Sequence, residues 1–112
     1  MSEEVHKWLT DIVGAIQHID IHLNGKRDFS AYQTNITVRR AVERELEIIG
    51  EATNRILKVD STIAISNARR IVDLRNRVIH AYDAVDDVIV WSVVIKSLPA
   101  LKLEVEQLLL GA

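Results

Sequence analysis

Residues that break helices are rare in this chain: one Pro and four Gly occur among 112 residues. The rest is rich in Ala, Leu, Ile, Glu and Arg, which are common in helices. Apolar residues also recur every three or four positions, as in Val5, Leu9 and Ile12, and this spacing is typical of a helix that buries one face. The sequence therefore predicts an all-α fold, an antiparallel four- to five-helix bundle that forms a single domain over residues 1–112.

Polar residues that favour helix starts divide the chain into these helices. The expected starts, in chain order, are at Ser2, at Asn35 or Thr37, at Ser66 or Asn67, and at Asp86 or Asp87. The first helix should end at Asn24-Gly25, and a polar stretch anchored by Phe29 and Tyr32 should follow it. Gly50 lies inside the second helix, where Gly costs about 1 kcal/mol relative to Ala, so we expect close packing there.

The run from Val88 to Ile95 is rich in β-branched residues and resembles a strand in composition. We interpret it as a buried helix, because the chain lacks partner strands bounded by turns. Residues 83–87 should form the turn before it. Pro99 should either kink this helix or open a fifth one at its first turn.

Composition excludes several classes of protein. The 14 basic residues are balanced by 16 acidic ones, for a net charge of -2, so a globally basic protein that coats nucleic acid is excluded. The chain has no Cys, which excludes disulfide scaffolds, thiolate zinc sites and Cys nucleophiles. No apolar run reaches the length of a membrane span, and we expect a cytoplasmic protein without membrane association. An apolar content of 48% is generous for so short a chain and favours a homodimer.

The most informative segment is the end of the third predicted helix, where Arg75, Asn76, His80 and Tyr82 lie close together. Residues 67–80 contain four Arg and one acid, a local basic patch suited to phosphate. His80 could act as a general base or acid, and Arg75 could hold a phosphate and stabilise the charge that develops on it. Those roles suit cleavage of RNA without a metal or a cofactor. Asn76 could fix the imidazole or the substrate, and Tyr82 could stack on a base or bind the phosphate.

Helix geometry restricts this hypothesis. Positions five apart on a helix are rotated by roughly 140°, so Arg75 and His80 do not share a face, whereas Asn76 and His80 are neighbours. Arg75 could curl round the helix, the helix could end before His80, or a two-fold axis could join Arg75 of one chain to His80 of another. We favour the last two arrangements, because residues 81–83 resemble a helix exit.

Structural roles are alternatives for each of these residues. His80 could interact only with the helix dipole, Arg75 and Arg77 could form surface ion pairs with Asp73 or Asp83, and Tyr82 could lie at the edge of the core. His18 and His22 have the i, i+4 spacing of metal ligands, but we identify no Glu or third His that completes a site. We interpret these two residues, with His6, as solvated.

The second predicted helix carries Glu43, Glu47 and Glu51 on one stripe. Such carboxylates could hold Mg²⁺ or take part in acid–base chemistry. Ion pairs at i, i+4, namely Arg39 with Glu43 and Glu51 with Arg55, explain them more simply.

Arg75, His80 and Tyr82 form the pattern R-x4-H-x-Y, with Asn76 directly after the Arg. This segment resembles the HepT-like ribonuclease toxins of the HEPN (higher eukaryotes and prokaryotes nucleotide-binding) superfamily. The resemblance extends to other parts of the chain, namely residues 38–44 leading into the run Glu47–Ala52, residues 85–87 with Trp91, and residues 98–101.

The resemblance implies a dimeric helical bundle and a metal-independent endoribonuclease whose catalytic residues are Arg75 and His80, supported by Asn76 and Tyr82. It also implies the toxin role in a type II toxin–antitoxin pair. The partner would be a minimal nucleotidyltransferase antitoxin that can adenylylate (AMPylate) Tyr82. The alternative is a non-catalytic helical protein that binds a nucleotidyltransferase.

Overall fold

The chain folds into helices joined by short connections. The computed structural model describes residues 1–80 and 86–111, without the side chains of residues 79 and 80. Its elements are α1 (Glu3–His22), α2 (Phe29–Thr34), α3 (Ile36–Val59), α4 (Ala68–His80), α5 (Asp87–Ser92), a π-helical segment (Val93–Ser97) and α6 (Leu98–Leu110). These ranges contain no β-strand, which confirms the prediction of an all-α fold.

Side-chain caps start three of these helices where the sequence predicts them. Ser2, Asn35 and Asp86 precede α1, α3 and α5, and each accepts a hydrogen bond from a backbone N–H of the first turn. Such a cap satisfies a donor that the helix itself leaves unpaired. The start of α4 at Ala68 also follows directly on the predicted Ser66 or Asn67.

Two local predictions need correction, and the structure agrees with one alternative for Pro99. The polar stretch around Phe29 and Tyr32 forms the short helix α2, because Asp28 caps it. The run that begins at Val88 is helical but not fully buried, since Val88 is 62% exposed. Pro99 lies in the first turn of α6, directly after the π-helical segment, which is one of the two positions that the sequence predicts. Residues 83–85 of the predicted turn lie outside the described residues.

Helices α1 and α3 run antiparallel through the centre of the bundle. The start of α1 lies beside the end of α3, where Trp8 and Ala52 line one groove, and the end of α1 lies near the middle of α3, where His22 contacts Glu45. Their facing apolar side chains form the core together with those of α4, the π-helical segment and α6. Each fully buried Leu or Ile contributes roughly 1.5–3 kcal/mol.

Gly50 is a point of tight contact between α3 and α4. A Cβ atom at this position would lie 2.2 Å from Cβ and 2.6 Å from Cγ of Arg75. Any larger residue would therefore collide with the base of the Arg75 side chain. This contact confirms the predicted close packing and fixes the position of Arg75 against α3.

An aromatic cluster ties α2 to α5. Tyr32 packs against both Phe29 and Trp91, with ring centroids 6.5 Å and 5.2 Å away. Tyr32 is only 2% exposed, and its hydroxyl has no hydrogen-bond partner among the described residues. Burial raises the pKa of this hydroxyl well above its ordinary value, and the nearby carboxylates of Glu43 and Asp87 raise it further.

The unpaired hydroxyl gives a test of the packing. We expect Tyr32→Phe to raise the free energy of unfolding by about 1 kcal/mol, because it removes a buried polar group and keeps the ring. Urea denaturation measures the change. Tyr32→Leu, which also removes the ring, is the matched control and should lower stability. A loss of stability in Tyr32→Phe would show that the hydroxyl has a partner.

Candidate functional site

Helix α4 carries the predicted site. It extends from Ala68 to His80, so the alternative in which the helix ends before His80 is wrong. Positions 75 and 80 are therefore separated by roughly 140° of rotation on one regular helix. Within a single chain, the helix does not place these two positions on one face. Tyr82 lies outside the described residues, as does the side chain of His80.

Two polar side chains hold the guanidinium of Arg75. Its Nη2 donates to Oε2 of Glu51 on α3 at 2.5 Å, and its Nη1 donates to Oδ1 of Asn76 at 3.0 Å. The Arg75 side chain is 25% exposed, so part of it remains accessible to a ligand. Asn76, predicted to contact the imidazole or the substrate, thus orients the neighbouring Arg75.

Glu51 joins two Arg side chains. Besides Arg75, it accepts a hydrogen bond from Nε of Arg55 at 3.0 Å, which confirms the predicted i, i+4 pair. The hydrogen bond from Arg55 lowers the pKa of Glu51, and the charge of Arg75 lowers it further. Glu51 therefore remains ionised at neutral pH and keeps Arg75 in place.

Sequence reasoning missed the contact between Glu51 and Arg75. These residues are 24 positions apart on different helices, and periodicity within one helix does not reveal such a pair. The available signal was Gly50, because a Gly inside a helix marks a place where a neighbour approaches. Glu51 follows Gly50 directly in the sequence and is therefore well placed to contact the same neighbouring helix, α4.

The other carboxylates of the α3 stripe also pair with Arg side chains, and Glu43 among them is buried. Glu43 accepts from Arg40 and Glu47 accepts from Arg44, both at i, i+3. The predicted pair of Arg39 with Glu43 is wrong, because Arg39 instead reaches Asp87 at 2.9 Å. Among the described residues, no group of three His, Asp or Glu side chains could hold a metal ion.

Glu45 corrects the interpretation of His22, whereas His18 is solvated as predicted, with 60% of its side chain exposed. The sequence indicated no Glu near this pair, yet Glu45 reaches it from α3. Oε2 of Glu45 lies 2.9 Å from Nε2 of His22, and Oε1 lies 3.5 Å from Nδ1 of His18. Each imidazole meets a different oxygen, and Glu45 is only 8% exposed. The cluster links α1 to α3.

The basic patch lies on the outer face of α4. Arg69, Arg70 and Arg77 are exposed. Among the described residues, neither Arg75 nor Arg77 forms the predicted ion pair with Asp73. Asp83, the other predicted partner, lies outside the described residues.

A groove between α1 and α3 ends at Arg75. It encloses about 440 Å³, and its lining includes Trp8, Ile48, Glu51 and Arg75. A larger groove of about 730 Å³ lies near the end of α1 and the start of α6, and its lining includes none of the predicted site residues. Of these two grooves, the smaller one adjoins Arg75.

None of the helices in the described ranges is long and apolar enough to cross a membrane.

The fold and the site define a small all-α domain in which one basic helix carries an Arg held by Glu51 and Asn76. The family model described as ribonuclease HepT-like matches residues 12–108. The chain belongs to this family of HepT-like ribonucleases.

Named relatives agree with this assignment. The chain is 34% identical over 105 residues to "Putative RNase MJ1380" of Methanocaldococcus jannaschii, covering 92% of this chain and 94% of that protein. It is 33% identical over 105 residues to "Probable ribonuclease HepT" of Thermococcus cleftensis, with the same coverage. No solved structure gives a significant match. The family and its relatives thus indicate a ribonuclease.

Proposed function

We propose that this chain is a metal-independent endoribonuclease that acts in the cytoplasm as the toxin of a type II toxin–antitoxin pair. The observation that carries the proposal is the preorganised guanidinium of Arg75. Glu51 and Asn76 hold it on the helix that ends at His80. Membership of the HepT-like ribonuclease family supplies the substrate class, RNA.

The proposed reaction is an internal transesterification of the RNA backbone. His80 takes the proton of a ribose 2′-OH, and the oxygen attacks the adjacent phosphorus. The bond to the 5′-oxygen of the next nucleotide breaks, and that oxygen leaves as a hydroxyl after it accepts a proton. Arg75 stabilises the charge on the phosphorane oxygens. The products carry a 2′,3′-cyclic phosphate and a 5′-hydroxyl.

A homodimer would assemble these groups. Because α4 is continuous from Arg75 to His80, the rotation of roughly 140° between the two positions favours a site made by two chains. We propose that Arg75 of one protomer and His80 of its partner act on the same phosphate. A two-fold axis generates two such sites in each dimer.

The proposed antitoxin is a minimal nucleotidyltransferase. It would transfer an adenylyl group from ATP to the hydroxyl of Tyr82 and release pyrophosphate. The added phosphate brings negative charge next to a site that binds phosphate, so repulsion and bulk would exclude RNA.

The experiment that tests the activity is cleavage of RNA, including tRNA, by the purified chain in excess chelator. We expect cleavage, with fragments that carry 2′,3′-cyclic phosphate and 5′-hydroxyl ends. A mock preparation from cells without the gene controls for contaminating nucleases. Intact RNA after incubation with protein of unmodified mass would reject the enzyme and favour the non-catalytic partner of a nucleotidyltransferase.

The role of Tyr82 has its own test. We expect Tyr82→Phe to keep inhibiting growth when the nucleotidyltransferase is coexpressed, because it lacks the hydroxyl that accepts the adenylyl group. Wild-type chain from the same cells should gain the mass of one AMP and lose activity. Rescue of growth in the Tyr82→Phe strain would contradict this mode of control.

A further inference from the structure

The groove beside Arg75 contains an aromatic side chain, Trp8, that has no role in the proposed reaction. Trp8 is half-buried and lines the groove together with Ile48 and Ala52 of α3. Trp91, the other Trp, instead packs against Phe29 and Tyr32. Among the described residues, Trp8 stacks on no other aromatic ring. An aromatic surface is therefore available at the groove wall.

Charged groups surround this apolar surface. Lys7 pairs with Asp11 at 2.9 Å, and Arg44 pairs with Glu47 at 3.0 Å. The Lys7 and Arg44 side chains are 72% and 68% exposed, so these ion pairs contribute little to stability. Their charged groups can therefore readily pair with a ligand instead. Cations can then contact phosphates, while carboxylates can accept from the amino groups of a base.

The size and position of the groove suit one nucleotide. Its volume of about 440 Å³ lies within the range of small-molecule sites, and such sites combine an apolar wall with a few polar groups. It also reaches Arg75, the residue proposed to hold the scissile phosphate. A base in the groove would thus belong to a nucleotide next to that phosphate.

We propose that this groove binds a nucleobase of the RNA strand, stacked on Trp8, beside the phosphate held by Arg75. The inference rests on the proposed ribonuclease function and adds a binding subsite to it. Stacking on an aromatic side chain is tolerant of sequence, because every base has a π-face. The subsite therefore favours unpaired RNA over a duplex, whose bases are stacked on each other.

Intrinsic fluorescence tests the subsite without cleavage, because the chain has only two Trp. Trp91→Phe leaves Trp8 as the reporter, and Trp8→Phe leaves Trp91. The probe is a tetradeoxynucleotide, which lacks the 2′-OH that the reaction needs. We expect it to quench the Trp91→Phe protein and not the Trp8→Phe protein, whereas an abasic oligonucleotide of equal charge should quench neither. Equal quenching by the abasic probe would overturn base stacking.

Cleavage kinetics separate this inference from the proposed function. We expect Trp8→Leu to raise KM for unpaired RNA about tenfold with little change in kcat, because stacking acts in binding. Trp91→Phe is the control and should keep the wild-type KM. If Trp8→Leu cleaves with unchanged KM, the subsite is rejected and the ribonuclease stands. If the wild type does not cleave but the probe quenches Trp8, the ribonuclease is rejected and the base-binding groove stands.

Discussion

RNA cleavage is expected to fall by about 10²–10⁴-fold in His80→Ala and by about 10²–10³-fold in Arg75→Ala. The first change removes the proposed general base, and the second removes a preorganised donor that stabilises charge in the transition state. Single-turnover cleavage in excess chelator measures both effects. The Arg75→Ala variant should keep its fold, because it retains the Cβ atom that packs against Gly50 and the Glu51 carboxylate still pairs with Arg55.

Matched controls come from the same chain. His6 is exposed on α1, and Arg27 forms a surface ion pair with Asp20 at 2.6 Å. Neither lies in the proposed site, so His6→Ala and Arg27→Ala should cleave like the wild type. If all four variants cleave alike, the activity belongs to other residues or to a contaminant.

Mixed dimers test whether the site is shared between chains. Arg75→Ala and His80→Ala chains, denatured together and refolded, should regain activity, because a mixed dimer contains one site with both residues intact. Random pairing predicts roughly a quarter of the wild-type rate, since half of the dimers are mixed and each has one of two sites. No recovery would show that Arg75 and His80 act within one chain.

Changes of pH near neutrality should not alter the contact between Glu51 and Arg75 in these cleavage assays. The pKa of Glu51 is lowered by Arg55 and Arg75, so its contribution to stability is complete above its unfolded pKa and disappears only as the pH falls through the lower folded value. A loss of cleavage between pH 5 and 7 therefore reports on another group. His80 is the candidate, since an ordinary His titrates in that range.

Local chemistry explains why much of the fold could be predicted. The caps at Ser2, Asn35 and Asp86 act within a few residues of the chain, and sequence alone contains that information. Gly50 indicated a close contact but not its partner. The end of α4 decides whether Arg75 and His80 lie on one regular helix. The end of a helix is the feature that local sequence patterns place least precisely.

Contacts between helices explain what the sequence did not reveal. Glu51 was interpreted within α3, and no Glu was placed beside the His pair. In the structure, Glu51 orients Arg75 on α4, and Glu45 links His18 and His22 on α1 to α3. Both contacts depend on how the helices are rotated against each other. Periodicity gives the buried face of each helix, but the register between two faces arises from packing.

Gly50→Ala is expected to weaken both stability and cleavage, because the added methyl group collides with Arg75. Its Cβ would lie 2.2 Å from Cβ of Arg75, an atom tied to the backbone of α4, so the helices themselves must separate. Overpacking costs typically 1–3 kcal/mol, while Ala gains about 1 kcal/mol over Gly in a helix. We expect a net loss of about 1 kcal/mol in the free energy of unfolding, measured by urea denaturation.

The effect on cleavage should exceed the effect on stability. A displacement of about 1 Å in a catalytic group can cost about 10²-fold in rate, and Gly50→Ala moves the helix that carries Arg75. We therefore expect cleavage to fall by at least about tenfold under conditions in which the variant remains folded.

Gly14→Ala is the matched control, since Gly14 also lies inside a long helix, but a Cβ there would meet no described atom outside the local helix backbone within 4 Å. This variant should gain about 0.5–1 kcal/mol of stability and cleave like the wild type. The two substitutions add the same methyl group, so the difference between them isolates the contact with Arg75. If Gly50→Ala also becomes more stable and keeps its rate, α3 does not position Arg75, and the preorganised site that supports the ribonuclease would have to be abandoned.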